Sequence, residues 1–434
     1  MGVMVNLDQA AVNRFLDRGI AVAFYGLILF LPVSIALVDT WAAFVLFFYF
    51  LLLLNRRLST GLWFSNFLKN PFPGVLNYSL AVLAVVTLVS VLQSQYLGLS
   101  VYAFAGKFMK YLFLYFSFIE TFTSEGRIRL FLRVLLIAAL IVALNGIVQH
   151  FIGIDILGRN IMQEGRISSS FRHANGFGVY LLIVIGIVSH LFYDALKNSR
   201  PLLIRGGYFL LLLILMICLC WTYSRSAWVG FLCVLGFMTA LDYRKIFYAG
   251  FLLVVFLVLF LPSLNNVRHV SLIKDSIKPS VVNAGDRHNP VVSLIEQGGS
   301  GRMTYWRKGL AIVKQYPIWG SGLNTYSLVV KRNASPWGGG YPHNSYLQKA
   351  AETGIIGLGC FGWVLFVFFK NGITRSLLLT DEWWRALLQG SLAGLVGFLI
   401  EAFFDNTLYS VQLAILLWVM MGFSVALTQL GRKG

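Results

Sequence analysis

Three arginines and one histidine carry the clearest chemistry in this sequence. Arg225 lies in Trp221-Thr222-Tyr223-Ser224-Arg225-Ser226-Ala227-Trp228, a connection between two apolar runs so short that its guanidinium must stay near a membrane boundary or point between helices. An unpaired arginine is costly there, and its planar fork of donors suits a bidentate phosphate better than a lysine would. Snorkelling to lipid headgroups accounts for the same position equally well. Arg302 follows Gly298-Gly299-Ser300-Gly301 at the expected start of a helix. The N-terminal dipole favours an anion there rather than the arginine itself, so Arg302 suits a group that joins backbone N–H donors in holding one. A solvated helix face is the competing explanation. Arg172, in Phe171-Arg172-His173-Ala174-Asn175-Gly176, stands at the mouth of another apolar run.

His343 is placed where a glycine-rich stretch, Pro336-Trp337-Gly338-Gly339-Gly340-Tyr341-Pro342, enters an apolar run. Neutral imidazole near pH 7 can act as a general base, and nearby arginines disfavour imidazolium. A structural hydrogen bonder is the plainer role for a lone histidine. Tyr223, Asn344 and Asp405 are candidate supporting groups, Asp405 because its turn after Glu401 could orient an arginine or the histidine. HExxH, a phosphate loop of the GxxxxGK[ST] type and an outer acidic cluster are all absent, so neither a metal site nor a cofactor is expected. No pair of carboxylates is close enough in sequence to suggest two-carboxylate glycoside chemistry.

The elements that must position these residues are membrane helices. Of 434 residues, 58% are hydrophobic and 12% charged, with mean hydropathy +0.75, which excludes an ordinary soluble protein. Apolar runs recur at about 20–38, 40–54, 75–93, 101–119, 130–150, 174–193, 207–222, 226–241, 246–262, 345–369, 384–404 and 408–430. The expectation is an all-α polytopic membrane protein with twelve spans, since each span needs about 20 apolar residues. The four cysteines lie in apolar runs and support no disulfide framework. Residues 1–19 read as a cytoplasmic amphipathic start with no cleavage site.

The formal charge of +18 suits nucleic acid, an anionic membrane surface or an anionic substrate. Location decides. With the N-terminus inside, 18 of the 35 basic residues fall in cytoplasmic segments, and the opposite short loops at Val38-Asp39-Thr40, Gln93 to Ser100 and Asp405 to Thr407 carry none. Both termini are therefore expected in the cytoplasm. Residues 1–262 hold nine spans, 263–344 form an outer loop, and 345–434 hold three more. Two outer segments break the charge rule: 151–173, with Arg159, Arg166 and Arg172, and 263–344, with ten basic residues against Asp275, Asp286 and Glu296. Within the long loop, Arg302 to Tyr316 reads as an amphipathic helix with Met303, Trp306, Leu310 and Val313 on its apolar face. The sum is an outward-facing cluster of arginines plus one histidine at headgroup depth. It suits a membrane-surface substrate carrying phosphate or pyrophosphate, not nucleic acid.

These residues resemble the O-antigen ligase and polymerase superfamily, most closely its lipopolysaccharide O-antigen ligase branch. The resemblance rests on Ser224-Arg225-Ser226-Ala227-Trp228; Gly301-Arg302 with Trp306; Pro317-Ile318-Trp319-Gly320-Ser321-Gly322; His343-Asn344-Ser345-Tyr346-Leu347; and Glu352-Thr353-Gly354, over about 170–360. It implies a GT-C-type glycosyltransferase in the bacterial inner membrane, with its active site facing the periplasm. The donor would be a glycan on undecaprenyl pyrophosphate and the acceptor a sugar hydroxyl of lipid A-core, in metal-independent, inverting transfer. By the same resemblance His343 would be the general base, Arg225 and Arg302 would hold the pyrophosphate, and Arg172 would extend that set. An O-antigen or exopolysaccharide polymerase, using a second lipid-linked glycan as acceptor, is the alternative. A protein O-oligosaccharyltransferase is disfavoured for want of an added soluble region. A transporter or flippase would need ionisable residues along a central path, whereas Lys107, Lys110, Glu120 and Glu401 are scattered in sequence, and no internal repeat is present.

Overall fold

Within lipid every backbone N–H and C=O must be satisfied inside the segment, so long apolar runs become helices. The computed structural model describes residues 2–60, 71–161, 165–260, 302–332 and 340–430, and helix is the regular element throughout them. In chain order the helices are α1 (Gly2–Phe30), α2 (Ile35–Thr60), α3 (Pro71–Leu92), α4 (Leu97–Ala103), a π-helical stretch (Phe104–Met109), α5 (Lys110–Thr121), α6 (Glu125–Ile152), α7 (Ala174–Lys197), α8 (Leu202–Trp221) and α9 (Arg225–Leu241). They continue with α10 (Ile246–Phe260), α11 (Arg302–Gln315), α12 (Tyr326–Arg332), α13 (Ser345–Leu378), α14 (Glu382–Glu401) and α15 (Val411–Leu430).

Among the described residues, eight helices are long and apolar enough to cross a membrane: α2, α3, α6, α7, α8, α13, α14 and α15. The apolar α9 and α10 are shorter. The other two expected spans fall on α1 and on the α4–π–α5 segment, whose charged residues include Asp17, Lys110 and Glu120. Those charges find neighbours: Asp17 pairs with Arg127 at 2.7 Å, Glu120 with Arg56 at 2.5 Å and Lys110 with Asp39 at 2.9 Å.

One expected connection is displaced. Val38-Asp39-Thr40 lies within α2, and the first turn comes earlier, over residues 31–34. Pro32 explains it, because proline disfavours helical geometry in the residue before it and has no N–H to continue a ladder. Gln412 Nε2 donates to the freed Leu31 carbonyl at 2.6 Å, tying this turn to α15.

The centre of the bundle is the antiparallel crossing of α7 and α14. A Cβ added at Gly186 would stand 2.5 Å from Gly394 N, and one at Gly394 would stand 2.7 Å from Ile183 Cα, so the two backbones touch. Close approach through small residues is how membrane helices gain packing without a hydrophobic drive between them. One turn further along the same face of α14, Gly397 meets Gly230 of α9, where a Cβ on Gly230 would stand 2.8 Å from the Gly397 carbonyl oxygen.

The helix α11 forms as expected, and Trp306 and Val313 of its expected face are half-buried, but the face is rotated. Met303 and Leu310 are 62% and 52% exposed, while Ile312 is buried. Gly309 sets the rotation, since a Cβ there would stand 2.7 Å from Leu347 of α13. Much of the expected outer loop, 263–301 and 333–339, lies outside the described residues, including Gly298 to Gly301 and Pro336 to Gly339.

Candidate active site

The motifs at 317–322 and 352–354 turn out to be two halves of one lock. In α13, Gly354 adopts φ +71°, breaking the helix, and a Cβ on it would overlap the Ile318 carbonyl. Gly320, at φ +75°, faces the Glu352 carbonyl equally tightly. Ser321 N donates to Ala351 O at 2.9 Å, Gly322 N to Glu352 O at 3.0 Å and Ile355 N to Pro317 O at 2.9 Å. The carbonyls freed by the kink are thus satisfied by the loop rather than by the helix. This docked loop holds α11 over the start of α13, where His343 lies.

His343 is itself in the left-handed region, at φ +48°, an uncommon state for a non-glycine residue that the surroundings must enforce. Asn344 caps α13, its side chain accepting from Tyr346 N and Leu347 N at 3.0 Å each. Ser345 N bonds to Ala402 O at 2.9 Å and Asp405 O at 3.1 Å, fixing α13 to the turn after α14. The His343 ring then meets Asp405: Nδ1 lies 3.1 Å from Oδ1. Tyr305 of α11 packs edge-on against the imidazole, with centroids 5.5 Å apart. Among the described residues Nε2 makes no hydrogen bond, and the side chain is 46% exposed.

Asp405 is the hub. Its other oxygen accepts from Asn175 Nδ2 at 2.7 Å, and its Oδ1 also accepts from Asn406 N at 2.8 Å. Burial alone pushes this carboxyl upward, but the bonds from His343, Asn175 and the Asn406 amide outweigh it and hold Asp405 below the usual carboxylate range. Asn175 Oδ1 in turn accepts from Arg166 Nη2 at 2.6 Å, and Arg166 Nε donates to Thr222 O at 2.9 Å. The connection bearing Arg225 is thereby joined to the same network. Ser226 Oγ reaches Glu401 Oε1 at 3.1 Å, and Thr407 bonds to the other Glu401 oxygen.

The expected residues are therefore distributed unevenly. His343 and Asp405 are in direct contact. Arg225 is exposed at the first position of α9, behind the N-cap Ser224, and no ion pair holds it among the described residues. Tyr223 precedes the cap at φ +47°. Arg302 opens α11, but its side chain lies outside the described residues. Arg172 is not joined to Asp405 by a hydrogen bond; it lines a cavity of about 460 Å³ with Arg159, Ser170 and Gln412. The arginine bound into the relay is Arg166. Sequence reading counted it among the outer basic residues without assigning it a role, and Asn175 gave no signal because a neutral amide carries no charge pattern.

With this geometry in view, comparison with known families decides the relationship. Residues 209–362 match the family described as O-antigen ligase. This part of the chain is an O-antigen ligase family domain. The family consists of glycosyltransferase-like membrane enzymes, ligases and polymerases. The matched segment contains Arg225, Arg302 and His343, while Arg166, Asn175 and Asp405 lie outside it and join it through the fold. Among curated proteins none matches the chain.

Proposed function

We propose that the protein is an O-antigen ligase, moving a glycan from undecaprenyl pyrophosphate to a sugar hydroxyl of lipid A-core at the periplasmic face of the bacterial inner membrane. The observation that carries this reading is the His343–Asp405 pair, with Nδ1 held by the carboxylate at 3.1 Å. A carboxylate on Nδ1 fixes the tautomer that leaves Nε2 as the base. His343 Nε2 takes the proton of the acceptor hydroxyl as its oxygen attacks the anomeric carbon. The carbon–oxygen bond to pyrophosphate breaks, the electron pair leaves with the lipid pyrophosphate, and the anomeric centre inverts. Asp405 stabilises the imidazolium so formed. Arg225 and Arg302 balance the growing charge on the leaving group, a contribution of about 10² to 10³ in rate for each preorganised donor in such sites. Arg166 steadies the relay through Asn175, while Arg172 stands with Arg159 farther along the same face.

In this reading the chain crosses the membrane twelve times with both termini cytoplasmic, residues 263–344 forming the outer loop between nine spans and three. The test is transfer in proteoliposomes, with undecaprenyl-pyrophosphate-linked glycan and purified lipid A-core. The wild type should place glycan on lipid A-core, and His343→Ala should lose about 10²- to 10⁴-fold in rate while remaining folded. Growth of the lipid-linked glycan instead, with lipid A-core untouched, identifies a polymerase.

A further inference from the structure

Lys107, which looks isolated in sequence, meets Lys349 of α13 at one interior chamber. The cavity, of about 80 Å³, is walled mostly by apolar groups of α3, the π-helical stretch, α13 and α15, among them Leu83, Phe108, Phe361 and Trp418. Its polar lining includes Lys107, Lys349, Asn324 and Glu352. Lys107 lies roughly 15 Å along the helical path from Leu97, at 1.5 Å per residue. π-Helical turns concentrate at functional sites, and this one carries Lys107, whose Nζ donates to Asn324 Oδ1 at 3.0 Å.

The one carboxylate among the described lining residues is already engaged. Glu352 accepts from Gln348 Nε2 at 3.0 Å, from Asn324 N at 2.9 Å and from Tyr326 N at 3.4 Å. Lys349 makes no ion pair among the described residues and lies over the Phe361 ring at 4.9 Å. Two ammonium groups thus face a mostly apolar space beside a single carboxylate, Glu352, which is near enough to Lys349 to feel its charge but also accepts these other hydrogen bonds. Ionisable side chains at such depth are expensive and mark ligand sites, and an apolar pocket with a few convergent polar groups is the usual form of one. A chain of hydrogen bonds also runs from the chamber wall to Asp405, the partner of the candidate base. Gln348 links Glu352 to Asn406, and Asn406 N donates to Asp405.

We propose that this chamber binds a single phosphate group carried on a hydrocarbon chain, the phosphate meeting Lys349 and Lys107 and the chain lying along Phe108, Leu83 and Trp418. That the lipid is the glycan carrier rests on the proposed function; the chemistry of the chamber does not. A carrier lipid and an ordinary phospholipid share that chemistry, and binding separates them.

The experiment measures equilibrium binding of a radiolabelled polyprenyl monophosphate to the full chain in detergent. His343→Ala protein is run in parallel, so that failure of transfer does not bear on binding. Wild type and His343→Ala should bind alike. Lys349→Met and Lys107→Met should each weaken binding at least about tenfold, the loss of roughly one charge-assisted contact. Ala414→Leu, which fills the chamber and keeps both lysines, should also weaken it and serves if the lysine variants do not fold. Unchanged binding in folded variants overturns the proposal, as does equal displacement by inorganic phosphate. Equal displacement by phosphatidylglycerol upholds a phosphate-headed lipid and overturns its identity as the carrier.

Discussion

Asp405 holds His343 by one oxygen and Asn175 by the other, so the turn after α14 joins the mouth of α13 to the mouth of α7. The histidine's orientation depends on three segments far apart in sequence.

Replacing Asp405 with Asn keeps the shape and removes the charge. Transfer should fall by about 10²- to 10⁴-fold, the range of a positioned base that has lost its tautomer. Because the folded carboxyl lies below its ordinary value, its stabilisation is fully present above about pH 4 and is lost only as the pH falls through the folded value. The difference in thermal midpoint between wild type and Asp405→Asn should stay constant from about pH 8 to 5 and shrink below about 4. A difference that closes between pH 7 and 5 would show the carboxyl to be raised instead.

His343 occupies φ +48° at a cost that glycine does not bear. His343→Gly and His343→Ala should both be inactive, yet the glycine variant should be more stable by about 1 to 2 kcal/mol. Thermal unfolding in detergent reads this directly; equal midpoints would mean the backbone relaxes once the ring is gone.

Gly354 and Gly320 close the lock between the kinked helix and the loop. Gly354→Ala places a methyl on the Ile318 carbonyl in a backbone state that alanine disfavours, and destabilisation beyond about 3 kcal/mol is expected. Gly320→Ala should do similar damage, and the double variant should cost less than the sum because both break one contact. Additive losses measured by unfolding would argue against a shared lock.

Lys245 lies at the opposite end of the bundle, in a polar cavity of about 170 Å³, where its Nζ donates to Gln389 Oε1 at 2.8 Å. Burial, reinforced by Arg385 and Lys197 against the pull of Asp242, lowers it to about 8. A lowered base binds fewer protons folded than unfolded, so stability should rise from about pH 8 towards 10.5. Lys245→Met should flatten that rise. A wild-type profile already flat over this range would show the ammonium to be fully solvated.

Much of the helical layout is legible in the sequence, since apolar runs in lipid leave the backbone no alternative. Turns are less so: Pro32 marks the first one, but the apolar run passes through it and masks the break. The O-antigen ligase family is legible because the order of its motifs is distinctive, and the contact of His343 with Asp405 joins two positions that the charge pattern already singles out. Arg166 could not be separated from Arg172 by charge alone. What distinguishes them is that Asn145 and Gln149 of α6 hold the 165–173 segment, through Ser169 and Ser168, so that one guanidinium reaches Asn175. The inward face of α11 is legible only in part, at Trp306 and Val313, because Gly309, which adds nothing to a hydrophobic pattern, sits at the close approach to α13.

The contact of α7 with α14 is backbone against backbone at Gly186, Gly390 and Gly394. Such a joint has no side chain to rearrange, so neither helix can slide along the other without steric collision. Asn175 rides on the end of one and Asp405 just beyond the end of the other. The reach between them, and through it the aim of His343, is therefore gauged by a rigid fulcrum deep in the bundle, about three helical turns from either residue.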